Sequence, residues 1–154
     1  MDEGAPLLCW DVFMYSYRRR MQMLDSLQKL NKLAKTRSWK MEWDMESQLL
    51  REDKIILVTD LAQVIRFASY NLKDMNGYAP KEVIGKSPKI FQGAGTAAAT
   101  KAEIRQAIIK RIPFSGNITN YRKDGTPYQC LVEEYPVWNK EGSLVNFIAF
   151  EKVA

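Results

Sequence analysis

Hydrophobic positions in the first third of the chain recur at helical spacing. A stretch without glycine or proline follows Pro6 and predicts a helix of roughly 8–37. Apolar side chains within it follow one another in steps of three and four, and we take the first seven as a candidate interface: Trp10, Phe13, Met14, Tyr17, Met21, Leu24 and Leu27, with Leu30 continuing the stripe. A lone amphipathic helix is marginal in water. The stripe therefore packs on the following domain, on a second copy of itself or on another protein, and the pattern leaves all three open.

The rest of the chain predicts strands interrupted by helices. Short alternating or β-branched runs predict strands at 54–59, 64–68, 114–122, 128–138 and 144–152. Asp124-Gly125 is a hairpin signal between the third and fourth of them. Short helices are expected between residues 71 and 84, and a longer one over 96–111 ends before Pro113. Residues 38–50, rich in tryptophan and methionine, fit no pattern. We divide the chain into an N-terminal helix and connector, 1–50, and a compact α+β domain, 51–154.

Composition narrows the class of protein. Hydrophobic residues at 46% and charged residues at 27% are ordinary for a globular domain. No run approaches the roughly 18 apolar residues of a spanning helix, and the acidic start does not resemble a secretory signal, so we expect a cytoplasmic protein without a transmembrane segment. The chain has no histidine and two cysteines, Cys9 and Cys130. Histidine-based catalysis and histidine-ligated haem are excluded, and we expect neither an enzyme nor a zinc site.

The net charge of +5 is concentrated in the first helix. Between Trp10 and Lys40 there are eight lysines and arginines against two aspartates, and three of the basic residues are the consecutive 18–20. Such a run is usually a solvated helix face. Binding of nucleic acid or of an acidic membrane is the alternative, with nucleic acid disfavoured because no strand interleaves basic and aromatic residues.

Five short motifs occur in a characteristic order from about Asp53 to Lys152. They are Val58-Thr-Asp60, Met75-Asn-Gly-Tyr78, Pro80-Lys-Glu-Val-Ile-Gly85, Phe91-Gln-Gly93 and Asn120-Tyr-Arg-Lys-Asp-Gly125. Each is weak alone, but together they resemble the PAS domain family. The resemblance implies an α+β PAS fold, a five-stranded antiparallel sheet with short helices on one face, preceded here by the long amphipathic helix. It also implies a sensory and signalling role: a small ligand or a protein partner is bound, and the signal passes through the N-terminal helix, in a homodimer or to a signalling partner in trans.

Within that family, the segment Gly85–Gly93 is similar to the LOV flavin photosensors. The resemblance places the cofactor-contacting positions at Ser87, Lys89, Gln92, Arg105, Asn120, Cys130 and Glu151. Pro88 stands where the photoreactive cysteine is expected, so the resemblance implies that no covalent flavin adduct forms. A non-covalent flavin sensor of light or redox state stays open as an alternative, and the ligand is not identified.

Four of those positions depart from the LOV pattern, and the first is Ser87, which stands where an amide side chain is expected. Lys89 replaces an arginine and keeps the charge without the bidentate fork. Cys130 stands for an asparagine and is a weak hydrogen-bonding partner, while Glu151 stands for a glutamine. An ionised glutamate cannot donate to a flavin carbonyl, and a buried pocket loses roughly 1–3 kcal/mol for each unmatched hydrogen bond. These departures disfavour flavin.

Two weaker patterns have plain structural explanations. Glu133 and Glu134 are neighbours on a strand, so they are expected to face opposite sides and not to form a carboxylate pair. Gly93-Ala-Gly95 precedes a helix, but such a spacing alone is weak evidence for phosphate binding, and a loop turning into the helix explains it as well. Cys130 shares a strand face with Tyr128 and Val132 and is expected to be a small buried hydrophobe.

Overall fold

A five-stranded antiparallel sheet is the centre of the computed structural model, which describes residues 4–154, with side chains from Cys9 onward. The spatial order β2-β1-β5-β4-β3 pairs the first strand with the last. This confirms the predicted sheet, and each strand begins and ends within one residue of its predicted bounds. The strands are β1 (Ile55–Thr59), β2 (Ile65–Ala68), β3 (Phe114–Tyr121), β4 (Pro127–Trp138) and β5 (Leu144–Val153).

Three short helical elements and one longer helix cover what we call the inner face of the sheet. They are α2 (Leu72–Asn76), α3 (Pro80–Val83), a 3₁₀ turn (Pro88–Phe91) and α4 (Ala98–Lys110). α2 ends at Gly77, whose φ of +83° closes the helix. α4 is shorter than the predicted 96–111 at both ends, because Ala97 is still extended and Arg111 already adopts a left-handed conformation with φ of +56°.

Strand β1 is buried on both sides, which explains its unbroken apolar run. Ile55 and Leu57 belong to the inner cluster, under the helices. Ile56 and Val58 belong to a second cluster on the opposite, outer face. The sheet therefore separates two hydrophobic cores.

The outer face is covered by the connector and by the C-terminal half of the first helix, α1 (Gly4–Thr36). The connector, which the sequence pattern could not assign, pairs Trp39 with Asn139 and buries Met45 and Leu49. The Trp39 indole N–H donates to Oδ1 of Asn146 at 2.9 Å. Residues on both sides of the predicted boundary at residue 50 thus share one cluster.

The predicted apolar stripe of α1 divides into two. Met23, Ser26, Leu30 and Ala34 are buried on the sheet side, and the Ser26 hydroxyl accepts the Tyr70 N–H at 2.9 Å. The upstream members of the stripe point to solvent: Trp10 (60% exposed), Phe13, Tyr17 and Met21. Met14, Leu24 and Leu27 are half-buried, and Leu27 packs on the outer cluster. Since a helix turns once every 3.6 residues, the buried and exposed sets lie on roughly opposite sides.

Within the described residues, no helix is both long enough and apolar enough to cross a bilayer.

Candidate functional site

A cavity of about 450 Å³ lies between the inner face of the sheet, the 3₁₀ turn and α4. Its volume falls in the range of roughly 300–1,000 Å³ that small-molecule sites occupy. Leu57, Ile118 and Val132 of the sheet form the apolar floor, and Ile104 and Ile108 of α4 form the wall opposite.

Five of the seven residues that the family resemblance selected line this cavity. They are Lys89, Gln92, Arg105, Asn120 and Glu151. Ser87 does not line it; its hydroxyl accepts the Lys89 N–H at 3.3 Å and caps the 3₁₀ turn. Cys130 does not line it either and is fully buried in the inner cluster beside Tyr128 and Val132, on the predicted strand face.

Glu151 is the most buried charged side chain at the cavity, with 7% of its surface exposed. Its Oε2 lies 3.5 Å from Sγ of Cys130, which is its only hydrogen-bond partner within residues 9–154. The pKa of Glu151 is raised to about 7, mainly by burial; the Cys130 hydrogen bond lowers it and the charge of Glu134 raises it by smaller amounts. Near neutral pH the Glu151 carboxyl is therefore present in both forms, and only the protonated form can donate a hydrogen bond.

Burial also raises the pKa of the Cys130 thiol, and the Glu151 charge adds to the rise. A thiol with a raised pKa forms little thiolate and is a poor nucleophile. Cys130 is thus an inert donor behind the cavity.

Glu134 is a second carboxyl at the cavity, and sequence reasoning missed it. It lines the cavity, has no hydrogen bond or ion pair within residues 9–154, and burial raises its pKa to about 7. As predicted, Glu133 turns to the other side, where Lys54 Nζ lies 3.8 Å from it. The carboxyl nearest to Glu134 in the register is that of Glu151 on the adjacent strand β5. Glu134 pairs with Ala149 and Val132 pairs with Glu151, so the two glutamates are diagonal neighbours on the same face of the sheet. Strand alternation from Cys130 and Val132 was the signal that could have placed Glu134 inward.

Two further residues that line the cavity carry a buried polar atom without a hydrogen-bond partner in the described part of the chain. The atoms are Oγ1 of Thr59, a residue with 5% exposure, and Nε2 of Gln63. A buried polar group without a partner costs roughly 1–3 kcal/mol. Both atoms have almost no accessible surface, so the cavity does not present them to a ligand.

Basic side chains surround the mouth of the cavity. Lys89 on the 3₁₀ turn and Lys101 and Arg105 on α4 line the cavity and are otherwise exposed. None of the three forms an ion pair with a residue in 9–154. The site therefore has acidic groups on its floor and cations at its rim.

The Gly93-Ala-Gly95 loop is anchored to β3 and is not open to a phosphate. The Gly95 N–H donates to the Tyr121 hydroxyl at 2.7 Å, and the Gly93 N–H donates to Oγ1 of Thr96 at 3.0 Å. Thr96 in turn donates to the Thr119 carbonyl at 2.6 Å. The loop explanation of this motif is the one that the geometry supports.

The basic run 18–20 is interrupted by an intramolecular contact. Arg19 forms ion pairs with Asp53 at 3.0 Å and with Asp74 at 3.1 Å, and these raise the pKa of its guanidinium. Arg18 and Arg20 are exposed. Arg19 therefore connects α1 to the domain through two partly exposed ion pairs.

Comparison with known proteins finds relatives that match part of this chain. Phototropin-2 of Oryza sativa subsp. japonica is 38% identical over 87 residues, which is 56% of this chain and 10% of that protein. Protein TWIN LOV 1 of Arabidopsis thaliana is 40% identical over 88 residues, 56% of this chain and 22% of that protein. The chain thus spans a small part of the length of the curated relatives that it matches.

The fold has close counterparts among solved structures. A light-oxygen-voltage domain studied with a flavin analogue superposes with a TM-score of 0.67 at 22% identity, covering 74% of this chain and 87% of that one. The sequence profile of the PAS domain matches residues 52–152. The match takes in the whole sheet and every helix that surrounds the cavity, and the chain belongs to the PAS domain family.

Proposed function

We propose that this PAS domain is a sensory module that binds a small ligand in the inner cavity and reports its presence through α1. The observation that carries the proposal is the placement of the cavity and the docked half of α1 on opposite faces of the same sheet. As a sensory domain it binds its ligand and does not convert it.

Strand β5 supplies the physical connection between the two faces. Ala149 and Glu151 line the cavity, while Ile148 and Phe150, which alternate with them, pack in the outer cluster with α1 and the connector. A displacement of β5 by a ligand therefore acts on both faces, because successive side chains of a strand point to opposite sides.

Native mass spectrometry of the purified protein tests the ligand-binding part. We expect the wild type to carry a bound small molecule that Ala149→Phe excludes, because the added ring occupies the cavity. Val153→Phe, at an exposed position of the same strand, is the matched control and should keep the ligand. The proposal would be contradicted by two results together. Neither the wild type nor the Ala149→Phe variant would carry bound mass, and both would respond identically to a fragment library in NMR spectra.

For the output, we propose that the exposed stripe of α1 pairs with the same stripe of a second copy. Trp10, Phe13 and Tyr17 form a chain of ring contacts, with centroids 5.8 and 6.4 Å apart, and nothing in residues 9–154 covers them. Charge complementarity favours an antiparallel arrangement of the two α1 helices. If the helices cross near residue 15, Asp11 of each copy lies opposite the segment of the other copy that contains Arg18 and Arg20. A two-fold pairing of one patch with itself is the commonest way in which proteins dimerise.

Sedimentation analysis tests this pairing. Phe13→Glu places charge in the centre of the stripe and should convert a dimer into a monomer. Val12→Glu is the matched control, being 66% exposed on the other side of the same helix turn, and should leave the dimer intact. A wild type that sediments as a monomer at every concentration would refute dimerisation and leave a partner in trans as the recipient of the signal.

A non-covalent flavin is the alternative that the light-oxygen-voltage relatives favour. The rim fits it, because Lys89 and Arg105 can hold a phosphate, and Gln92 and Asn120 can hydrogen-bond to a ring. The floor fits it poorly, because Cys130, at an expected amide position, does not line the cavity, and the ionised form of Glu151 only accepts where the resemblance expects a glutamine. The absorption spectrum of purified protein decides: a yellow protein with bound flavin would establish the alternative.

A further inference from the structure

The cavity has a charge layout that flavin does not explain. Glu134 and Glu151 lie on the floor, on adjacent strands and on the same face of the sheet. Lys89, Lys101 and Arg105 stand at the exposed rim. Glu151 is buried and Glu134 is half-buried, and carboxyls removed from water are ordinarily paired with a cation or with hydrogen-bond donors. Within residues 9–154 the only such donor to either carboxyl is the weak Cys130 thiol.

We infer that the cavity binds a small zwitterion, whose basic nitrogen lies on the floor against Glu134 and Glu151 and whose acidic group lies at the rim against Lys89, Lys101 and Arg105. The inference rests on the proposed ligand-binding function and specifies the class of ligand. The apolar wall of Ile104 and Ile108 takes the carbon skeleton between the two charged ends.

Each end of such a ligand would pair with charged groups that have few or no partners in the protein alone. A protonated amine brings three N–H donors to the floor, enough for both carboxylates. The raised pKa values of Glu134 and Glu151 agree with this, since they show that the protein by itself does not stabilise the two charges. A carboxylate or phosphate at the rim neutralises cations that have no intramolecular partner. A ligand with only a positive charge would have to pass three cations at the mouth without compensation.

Three probes with the same ring separate the two charges. Para-aminomethylbenzoic acid has both, para-toluic acid has the acid alone, and para-methylbenzylamine has the amine alone. NMR titration of the full chain should give para-aminomethylbenzoic acid an affinity at least about ten-fold higher than either single-charge probe, the ratio expected of one charged hydrogen-bonded contact.

Variants assign the two ends. Glu134→Gln together with Glu151→Gln should lower the affinity of para-aminomethylbenzoic acid about ten-fold, to that of para-toluic acid, and leave para-toluic acid no weaker. Lys101→Met with Arg105→Met should instead lower the affinity of both acids. Glu133→Gln, on the other side of β4, is the control and should change nothing. Glutamine keeps the shape of glutamate, so the floor variants are expected to fold.

The outcomes separate this inference from the function on which it rests. Equal binding of para-aminomethylbenzoic acid and para-toluic acid, or binding of the zwitterion that the floor variants leave unchanged, overturns the charge layout while the cavity still binds ligands. Failure of all three probes to bind overturns the inference, and the ligand-binding function is then judged separately by the bound mass that Ala149→Phe removes.

Discussion

Glu151 shows how a single residue ties stability to pH in this fold. Its carboxyl is buried beside the Cys130 thiol, and its pKa is raised from 4.5 to about 7. The folded protein therefore binds a proton that the unfolded chain has released over that interval. A carboxyl of this kind contributes stability that is fully present below its unfolded pKa and is lost as the pH rises through its folded pKa. The usual behaviour of a paired surface carboxylate is the reverse.

Replacing Glu151 by glutamine should remove this dependence. Relative to the wild type, Glu151→Gln should gain stability between about pH 5 and pH 8, by up to roughly 3 kcal/mol for a pKa change of this size. The charged and titratable groups around it are Glu134, Cys130 and Tyr128 on the sheet and the rim cations of α4 and the 3₁₀ turn. The substitution removes a charge that raises the pKa values of Cys130 and Tyr128, but both groups titrate well above pH 8. Urea unfolding at both pH values measures the effect. Parallel pH profiles of the two proteins would show that Glu151 is not the responsible group, and Glu133→Gln serves as the control.

Gly93 is needed because an aromatic ring lies against its backbone. A Cβ at this position would stand 2.5 Å from Cε2 of Tyr121, closer than two carbons can approach. Gly93→Ala should therefore destabilise the protein by about 1–3 kcal/mol, as overpacking does. A double-mutant cycle with Tyr121→Ala checks the cause by chemical denaturation, since the alanine should cost much less once the ring is absent. Additive effects would place the strain elsewhere.

At the scale of elements, α1 joins two surfaces with different roles. The buried side from Met23 to Ala34 is part of the outer core, whereas the aromatic side near Trp10 contacts nothing in residues 9–154. Arg19 marks the point where the helix meets the domain, through its ion pairs with Asp53 and Asp74. Each half of the helix can therefore be altered without the other.

Leu30 should be the most sensitive position of the docked half. It is 0% exposed in the outer cluster, so Leu30→Ala should lower the free energy of unfolding by about 2–5 kcal/mol, the range for buried leucines. Lys32→Ala, two residues away on the exposed side, should change it by less than about 0.5 kcal/mol. Thermal and urea unfolding measure both. Equal, small effects would mean that α1 is not docked on the sheet in solution.

The pattern of the sequence predicted the elements better than their contacts. The strands followed from alternation, because a period of two is a local property of the chain. The two stripes of α1 did not, because Trp10 and Leu30 both satisfy steps of three and four, and only the tertiary structure decides which side meets the sheet. Glu134 could not be recognised as a cavity residue for a related reason. Its neighbour in the sequence, Glu133, lies on the other face of the sheet, and the carboxyl that shares its face, Glu151, is on another strand. Sequence proximity is a poor guide to which charges meet across a sheet.

At the scale of the whole molecule, the sheet is the wall that the cavity and α1 share, and this allows a test of signal transfer. Binding of para-aminomethylbenzoic acid should change amide hydrogen exchange in α4 and the 3₁₀ turn, which touch the ligand. If β5 transmits the change, the docked segment 23–34 of α1 should also change its exchange, since Ile148 and Phe150 of the outer cluster alternate with Ala149 and Glu151 of the cavity. Residues 10–17, which lie beyond the sheet, should respond only if a dimer forms through them. Protection confined to α4 and the 3₁₀ turn would mean that the sheet isolates its two faces, and α1 could not then be the output of the cavity.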